Sequence, residues 1–142
     1  MFKIVLVLVS ALTVNAVVQV VPQSTRVQWV ETFTPLFSKC VAYSKVDSIL
    51  AYKSVSETLY SNNDNLKVYF KCVFEGLNMI DAGTGNFLEK ELCRQLKGVT
   101  PEIAKKCVEL YKHDRDIADR AFNLYRCIVQ CLAKSTIDVK DH

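Results

Sequence analysis

Cysteine and histidine are the residues of this chain whose types invite chemistry, and their spacing narrows it. The cysteines are Cys40, Cys72, Cys93, Cys107, Cys127 and Cys131; the histidines are His113 and His142. A structural zinc site is built from close Cys or His pairs. No C-x2-C pair occurs, and His142 is the last residue, so no metal site is expected. An even cysteine count in an exported chain reads first as disulfides. Nucleophilic catalysis needs a Ser–His–Asp or Cys–His set, and two histidines, one of them terminal, do not provide it. His113-Asp114 could serve as a His–Asp dyad of the phospholipase A2 kind. The residues before it, Glu109-Leu110-Tyr111-Lys112, lack the paired cysteines such a site needs, and four glycines in all do not make its calcium loop. Asp81-Ala82-Gly83-Thr84-Gly85-Asn86 opens like an EF-hand loop. It has no oxygen side chain at the third and fifth positions, and Leu92 stands where the closing Glu belongs. Thr84-Gly85 is followed by no Gly-Lys-Ser/Thr, so it is no phosphate loop. These residues point away from an enzyme and toward no cofactor.

The disulfide reading requires export, and the N-terminus supplies the signal. MFKIVLVLVSALTVNA has one early positive charge at Lys3, an apolar run from Ile4 to Leu12, and small or medium residues at Val14-Asn15-Ala16. That is the layout of a secretory signal peptide. The run is shorter than the ~20 residues that cross a bilayer. Residues 1–16 are therefore expected to be removed, leaving residues 17–142 as one exported domain. Lys3 is the only charge before the cut, so the formal +3 of the chain falls to +2. Such a small, mixed charge gives no footprint for nucleic acid. No later apolar run suggests stable membrane insertion.

The elements that must position the cysteines read as helices. Thr25 can cap a first helix with Gln28 as its capping-box partner, and Val30, Phe33, Phe37, Cys40 and Val41 follow at helical spacing. Ser44 or Asp47 can start a short second helix through Ile49 and Leu50. Ser61-Asn62-Asn63-Asp64 is a turn and cap cluster ahead of a third helix with Leu66, Tyr69, Phe70, Val73, Phe74 and Leu77. Asp81 to Gly85 reads as a flexible loop. Asn86 with Glu89 opens a fourth helix bearing Leu88, Leu92 and Leu96, ended by Gly98. Thr100-Pro101 starts a fifth, Thr at the cap and Pro at the first helical position. The sixth starts near Asp116, with Ile117, Ala121, Leu124, Tyr125, Ile128, Cys131 and Leu132 along one side. From Ser135 the chain reads as a polar tail. Nothing alternates with period two, so the fold class is all-α: about six short helices in a compact, disulfide-stapled bundle. A domain of this size buries under about 70% of its unfolded surface, so crosslinks matter.

Two segments carry a more specific signal. Leu66 to Asp81, around Cys72, resembles the segment of insect odorant-binding proteins that holds their second and third cysteines. Cys72 matches the third, and Val68 stands at the second. Ala118 to Cys127 resembles the segment with the fifth and sixth; Cys127 matches the sixth, and Ala118 stands at the fifth. Cys40 and Cys107 match the first and fourth. The two absent cysteines bond to each other in that family, so their joint loss removes one bridge and orphans no thiol, the pattern of its minus-C subgroup. The resemblance spans the exported domain. It implies bridges Cys40–Cys72 and Cys107–Cys127. Cys93 and Cys131 depart from the pattern. Three readings stay open: a replacement bridge between them, two buried thiols, or a surface thiol linking two copies. The bridge is favoured because an oxidising compartment disfavours spare thiols. Cys127 and Cys131 lie one turn apart, so Cys107 could also exchange between them.

The resemblance further implies a carrier of small apolar molecules, odorants or pheromones, held in an internal cavity. Residues of the third and sixth helices would line it: Phe74, Leu77, Phe122, Tyr125 and Ile128, with Phe33 and Phe37 from the first. It implies an onward olfactory receptor, a monomer or weak homodimer, and residence in sensillum lymph or another body fluid. A secreted interaction or scavenger protein on the same fold, in saliva, haemolymph or seminal fluid, is the alternative. Losing one bridge should leave the fold less stable and the pocket more adaptable. His113 or His142 could titrate near pH 6.5, although a solvated histidine is the plainer reading of both.

Overall fold

The computed structural model describes residues 20–140, with side chains as far as residue 133. The expected signal segment and His142 lie outside the described residues. Six α-helices follow one another: α1 (Gln23–Ser44), α2 (Ser48–Ser56), α3 (Asp64–Gly76), α4 (Glu89–Gln95), α5 (Pro101–Tyr111) and α6 (Ile117–Lys140). The expected all-α class stands. Among the described residues the only β-type pairing is an isolated bridge between Ile80 and Phe87.

Local chemistry explains most of the helix starts. The Asp47 carboxylate accepts from the backbone N–H of Ile49 (2.8 Å) and Leu50 (3.0 Å), and α2 begins there. Asn63 Oδ1 accepts from Leu66 N–H at 3.0 Å to start α3. Thr100 Oγ1 accepts from Ile103 N–H at 3.2 Å, with Pro101 behind it. Asp116 Oδ1 accepts from Ala118 N–H at 2.8 Å to start α6. Each cap satisfies a donor that the helix itself leaves unpaired.

Two starts differ from the sequence reading. α1 begins at Gln23 without a side-chain cap, and Thr25 is buried inside it. Gln28 forms no capping box. Its amide reaches across to the turn after α4, donating to Gln95 O (2.9 Å) and accepting from Lys97 N–H (2.9 Å). Trp29 Nε1 donates to Lys97 O beside it at 3.0 Å. α4 starts at Glu89 with Leu88 uncapped. The reason is the bridge: Asp81 N–H donates to Asn86 O at 2.8 Å and Leu88 N–H to Met79 O at 2.8 Å, which keeps residues 86–88 out of the helix. The loop before it is well tied, not loose. Asp81 Oδ1 accepts from Gly83 and Thr84, and Arg120 of α6 donates to Gly85 O at 2.9 Å. Gly85 sits at φ +75°, where a Cβ would also meet Arg120 and Ile117. The backbone of α6 continues as helix through residues 135–140, where the sequence suggests a tail.

α3 is the central helix. It packs on α6 and α1; α2 lies along α1, and α5 bridges α4 and α6. The interior is aromatic. Phe70 of α3 stacks on Tyr125 of α6 with centroids 4.4 Å apart; Phe74, Phe122 and Trp29 pack against that pair, and Phe33 packs on Phe74. Two largely buried bridges fasten neighbouring helices. Cys40–Cys72 joins α1 to α3 (Cα–Cα 5.6 Å), and Cys107–Cys127 joins α5 to α6 (5.7 Å). These are the two pairings the resemblance implies. The favoured third bridge is not there: Cys93 and Cys131 are not joined. The Cys131 sulfur instead lies with those of Cys107 and Cys127, all three within 4.8 Å of one another. Cys93 faces a separate surface recess among Glu89, Lys90, Arg94 and Pro101. Packing decides this: α5 lies between α4 and α6, which share no extensive contact of their own.

Candidate ligand-binding site

A groove of about 260 Å³ opens between α1, α2 and α3. Its floor is Phe33, Ala51, Val55 and Tyr69, all buried, with Val30 and Phe37 as half-buried walls. Its rim is Thr34, Ser38 and Tyr52, all exposed. The space exists because the seam sets small residues between large rings. Val30, Thr34 and Ser38 descend α1 at four-residue steps, and Ala51 and Val55 oppose them from α2 at the same step. Phe33, Phe37 and Tyr69 stand around that strip too far apart to fill it; the Phe37 and Tyr69 ring centroids are 6.2 Å apart, edge to face. Pro35 lies within α1 on the same stretch and contributes no N–H to the helix.

The seam cannot simply close, because α2 is pinned. Arg26 Nη1 donates to Ser56 O at 2.5 Å and its Nε to Val21 O at 3.0 Å, fixing the C-terminal end of α2 against the start of α1. Tyr125 Oη donates to the buried Ser54 O at 2.5 Å from the opposite side. Lys45, in the left-handed region at φ 61°, and the Asp47 cap fix the other end.

Among the described residues no charged side chain lines the groove. Its polar groups are hydroxyls. Thr34 Oγ1 is committed to Val30 O at 2.6 Å. Tyr69 is 1% exposed. Burial pushes its phenol up to about 12, so the hydroxyl remains a neutral donor at ordinary pH. Tyr125 is shifted the same way, chiefly by burial, but its hydroxyl is already spent on Ser54.

The structure separates the residues singled out in the sequence. Phe33 and Phe37 line the groove. Phe74, Tyr125 and Ile128 are wholly inside the core and line none of the described cavities. Phe122 is buried, with an edge at a shallow polar recess formed by Tyr60, Ser61, Asn62 and Arg126. Leu77 caps the end of α3, where its carbonyl accepts from Gln95 Nε2 at 2.6 Å. His113 is exposed in the turn between α5 and α6, and Asp114 accepts from Asn123 Nδ2 at 3.0 Å. Val68 and Ala118 flank the α3–α6 seam, where their neighbours Lys67 and Asp119 form an ion pair of 3.0 Å. Burial pushes the Cys93 thiol up, helped by the Glu89 carboxylate.

Sequence reasoning missed Val30, Thr34, Ser38, Ala51, Tyr52 and Val55 as lining. The available signal was the four-step run of small residues on α1 opposite a second such run on α2. Attention to aromatic stripes passed over it.

The PBP/GOBP family model matches residues 22–131, the span from the turn before α1 into α6 that holds both bridges. No curated protein and no solved structure matches the chain significantly. With the match covering most of the chain, and an all-helical, twice-bridged fold over that span, the chain belongs to the PBP/GOBP family of insect odorant-binding proteins.

Proposed function

We propose that this protein is a secreted carrier that takes small hydrophobic molecules, odorants, pheromones or similar semiochemicals, into the α1–α2–α3 groove and moves them through aqueous lymph. The family is one of small-ligand binding and carriage and is not enzymatic. The observation that carries the reading is the groove itself: about 260 Å³, aromatic and aliphatic, free of charge, and open at a rim of exposed side chains. The carrier is read as exported because the first 16 residues have the form of a signal peptide and the fold carries disulfides. No helix among the described residues is long and apolar enough to cross a membrane. Delivery to an olfactory receptor, as a monomer or weak homodimer, completes this reading.

The energy of capture comes from removing apolar surface from water. Burying about 250 Å² at ~25 cal/mol per Å² gives about 6 kcal/mol. That corresponds to a Kd of tens of micromolar, before gains from shape fit and losses from immobilising the ligand.

The test is titration with 1-aminoanthracene as an apolar fluorescent reporter. One site per chain and a Kd in the micromolar range are expected. Thr34 is exposed at the mouth, so Thr34→Trp covers the groove without touching the core and should weaken reporter binding at least ten-fold. A reporter that does not bind, or binds Thr34→Trp equally well, overturns the reading. The first of those outcomes favours an interaction protein on the same fold.

A further inference from the structure

We infer that the groove selects neutral, mainly apolar molecules bearing one hydrogen-bond acceptor, a carbonyl above all, and that the Tyr69 hydroxyl is the donor that reads it. The inference rests on the groove being the ligand site, and goes beyond it by assigning the ligand's chemistry and the residue that senses it.

Three observations converge. The first is an unsatisfied donor. Buried hydroxyls in folded proteins nearly always find partners. Tyr125 obeys this through Ser54, whereas Tyr69 Oη makes no hydrogen bond among the described residues, although Tyr69 is only 1% exposed. It is not sealed in either. Ser56 Oγ is the one side-chain oxygen or nitrogen among the described residues that is both shut from solvent and partnerless. What little of Tyr69 remains accessible therefore opens onto the groove it lines.

The second is charge. Among the described residues no Lys, Arg or His lines the groove to neutralise an anion. The adjoining recess that shares Val30 and Tyr52 carries Glu31, with Arg26 bonded to Ser56 O beside it, so the two charges there offset. A carboxylate ligand would lose hydration in the groove with no cation lining it, which disfavours it. The third is size. A groove of about 260 Å³ takes only a small molecule, or one end of a larger one. A ligand that small makes few contacts, so one hydrogen bond is a large share of its affinity. The phenol stays protonated well beyond neutrality, so it can donate and cannot serve as a base.

The measurement is a ligand-by-variant cycle in three probes of one size and shape: acetophenone, α-methylstyrene and benzoate. The second replaces the carbonyl by a methylidene; the third is the charged counterpart. Each is titrated at pH 7.4 against 1-aminoanthracene bound to the full exported chain and to Tyr69→Phe. Because Tyr69 Oη has no partner among the described residues, Tyr69→Phe loses none of the described hydrogen bonds and should fold, which far-UV circular dichroism and a thermal melt check. The expected result is that Tyr69→Phe weakens acetophenone about ten-fold, about 1.4 kcal/mol, and leaves α-methylstyrene within two-fold. Benzoate should bind at least ten-fold more weakly than acetophenone to the unaltered chain. Equal effects of Tyr69→Phe on acetophenone and α-methylstyrene overturn the inference, as does benzoate binding as tightly as acetophenone. If 1-aminoanthracene still binds and Thr34→Trp still expels it, that failure leaves the carrier reading standing. If the reporter never binds, the carrier reading falls first and takes the inference with it.

Discussion

Tyr69 and Tyr125 face each other across Phe70, yet their hydroxyls meet different fates. Tyr125 donates to a helical carbonyl of α2 and so becomes structural. Tyr69 stands at the groove, to which α2 contributes Ala51, Tyr52 and Val55, and its hydroxyl finds no acceptor among the described residues. Both phenols are held above their ordinary value by burial. The linkage has a definite sign. A phenol raised in the fold contributes stability that is complete below the unfolded value near 10. That contribution disappears as pH climbs toward the folded value, about 12 for Tyr69. Stability should therefore fall between pH 10 and pH 12, because the unfolded chain ionises there first. Urea melts across that window should show the fall, and Tyr69→Phe should be less steep than the parent. An identical slope in the variant would remove Tyr69 from the account.

At the scale of the element, α2 decides whether there is a groove at all. It has nine residues, too few to persist alone in water. Its position depends on the Asp47 cap, the Arg26 clamp on Ser56 O and the Tyr125 bond to Ser54 O. Removing a cap of this kind typically costs about 1 kcal/mol. Asp47→Ala should thus lower overall stability by about that amount in a denaturant melt. It should also weaken reporter binding, since the same helix forms one wall. A matched cap deletion, Thr100→Ala on α5, should cost similar stability and spare binding, because α5 contributes nothing to the groove. Equal binding losses from both would mean that the reporter senses global loosening and not the α2 wall.

At the scale of the molecule, stability is spread unevenly. The two bridges fix α1 to α3 and α5 to α6. The α3–α6 seam has neither, although it is the most extensive in the fold. It relies on the Phe70–Tyr125 stack and its neighbours. The Lys67–Asp119 pair crosses it at 3.0 Å but is partly exposed, and such pairs contribute at most about 1 kcal/mol. The resemblance places a bridge of the wider family at Val68 and Ala118, beside that ion pair. Restoring it with Val68→Cys and Ala118→Cys should add about 2–4 kcal/mol, read as a higher Tm under non-reducing conditions. It should also narrow the range of ligands bound, if an adaptable α3–α6 seam allows the groove to adjust. An unchanged Tm with the new bridge formed would show that the seam is already as tight as a covalent link can make it.

Much of this was fixed by local chemistry and could be read along the chain. The caps at Asp47, Asn63, Thr100 and Asp116 bind donors two or three residues away, so sequence spacing alone locates those helix starts. Cys40, Cys72, Cys107 and Cys127 keep a family spacing, and the bridges fall between them. Other features depend on which faces meet. A row of Phe, Tyr and Ile on α6 looks the same whether it lines a hollow or fills one. Here Phe70 rises into it, so Phe74, Phe122, Tyr125 and Ile128 became core. The open space went to the α1–α2 seam, where small side chains happen to oppose small side chains across a gap of some twenty residues in sequence. Gln28 was offered a cap by its neighbours and took backbone partners far along the chain instead. Cys93 and Cys131 each suit a bridge by composition, but they sit on α4 and α6, which pack on α5 and not on each other. Short-range hydrogen bonds and periodicity declare themselves in order along the polypeptide; empty volume is a property of two surfaces at once, so only the packed fold could say where it lies.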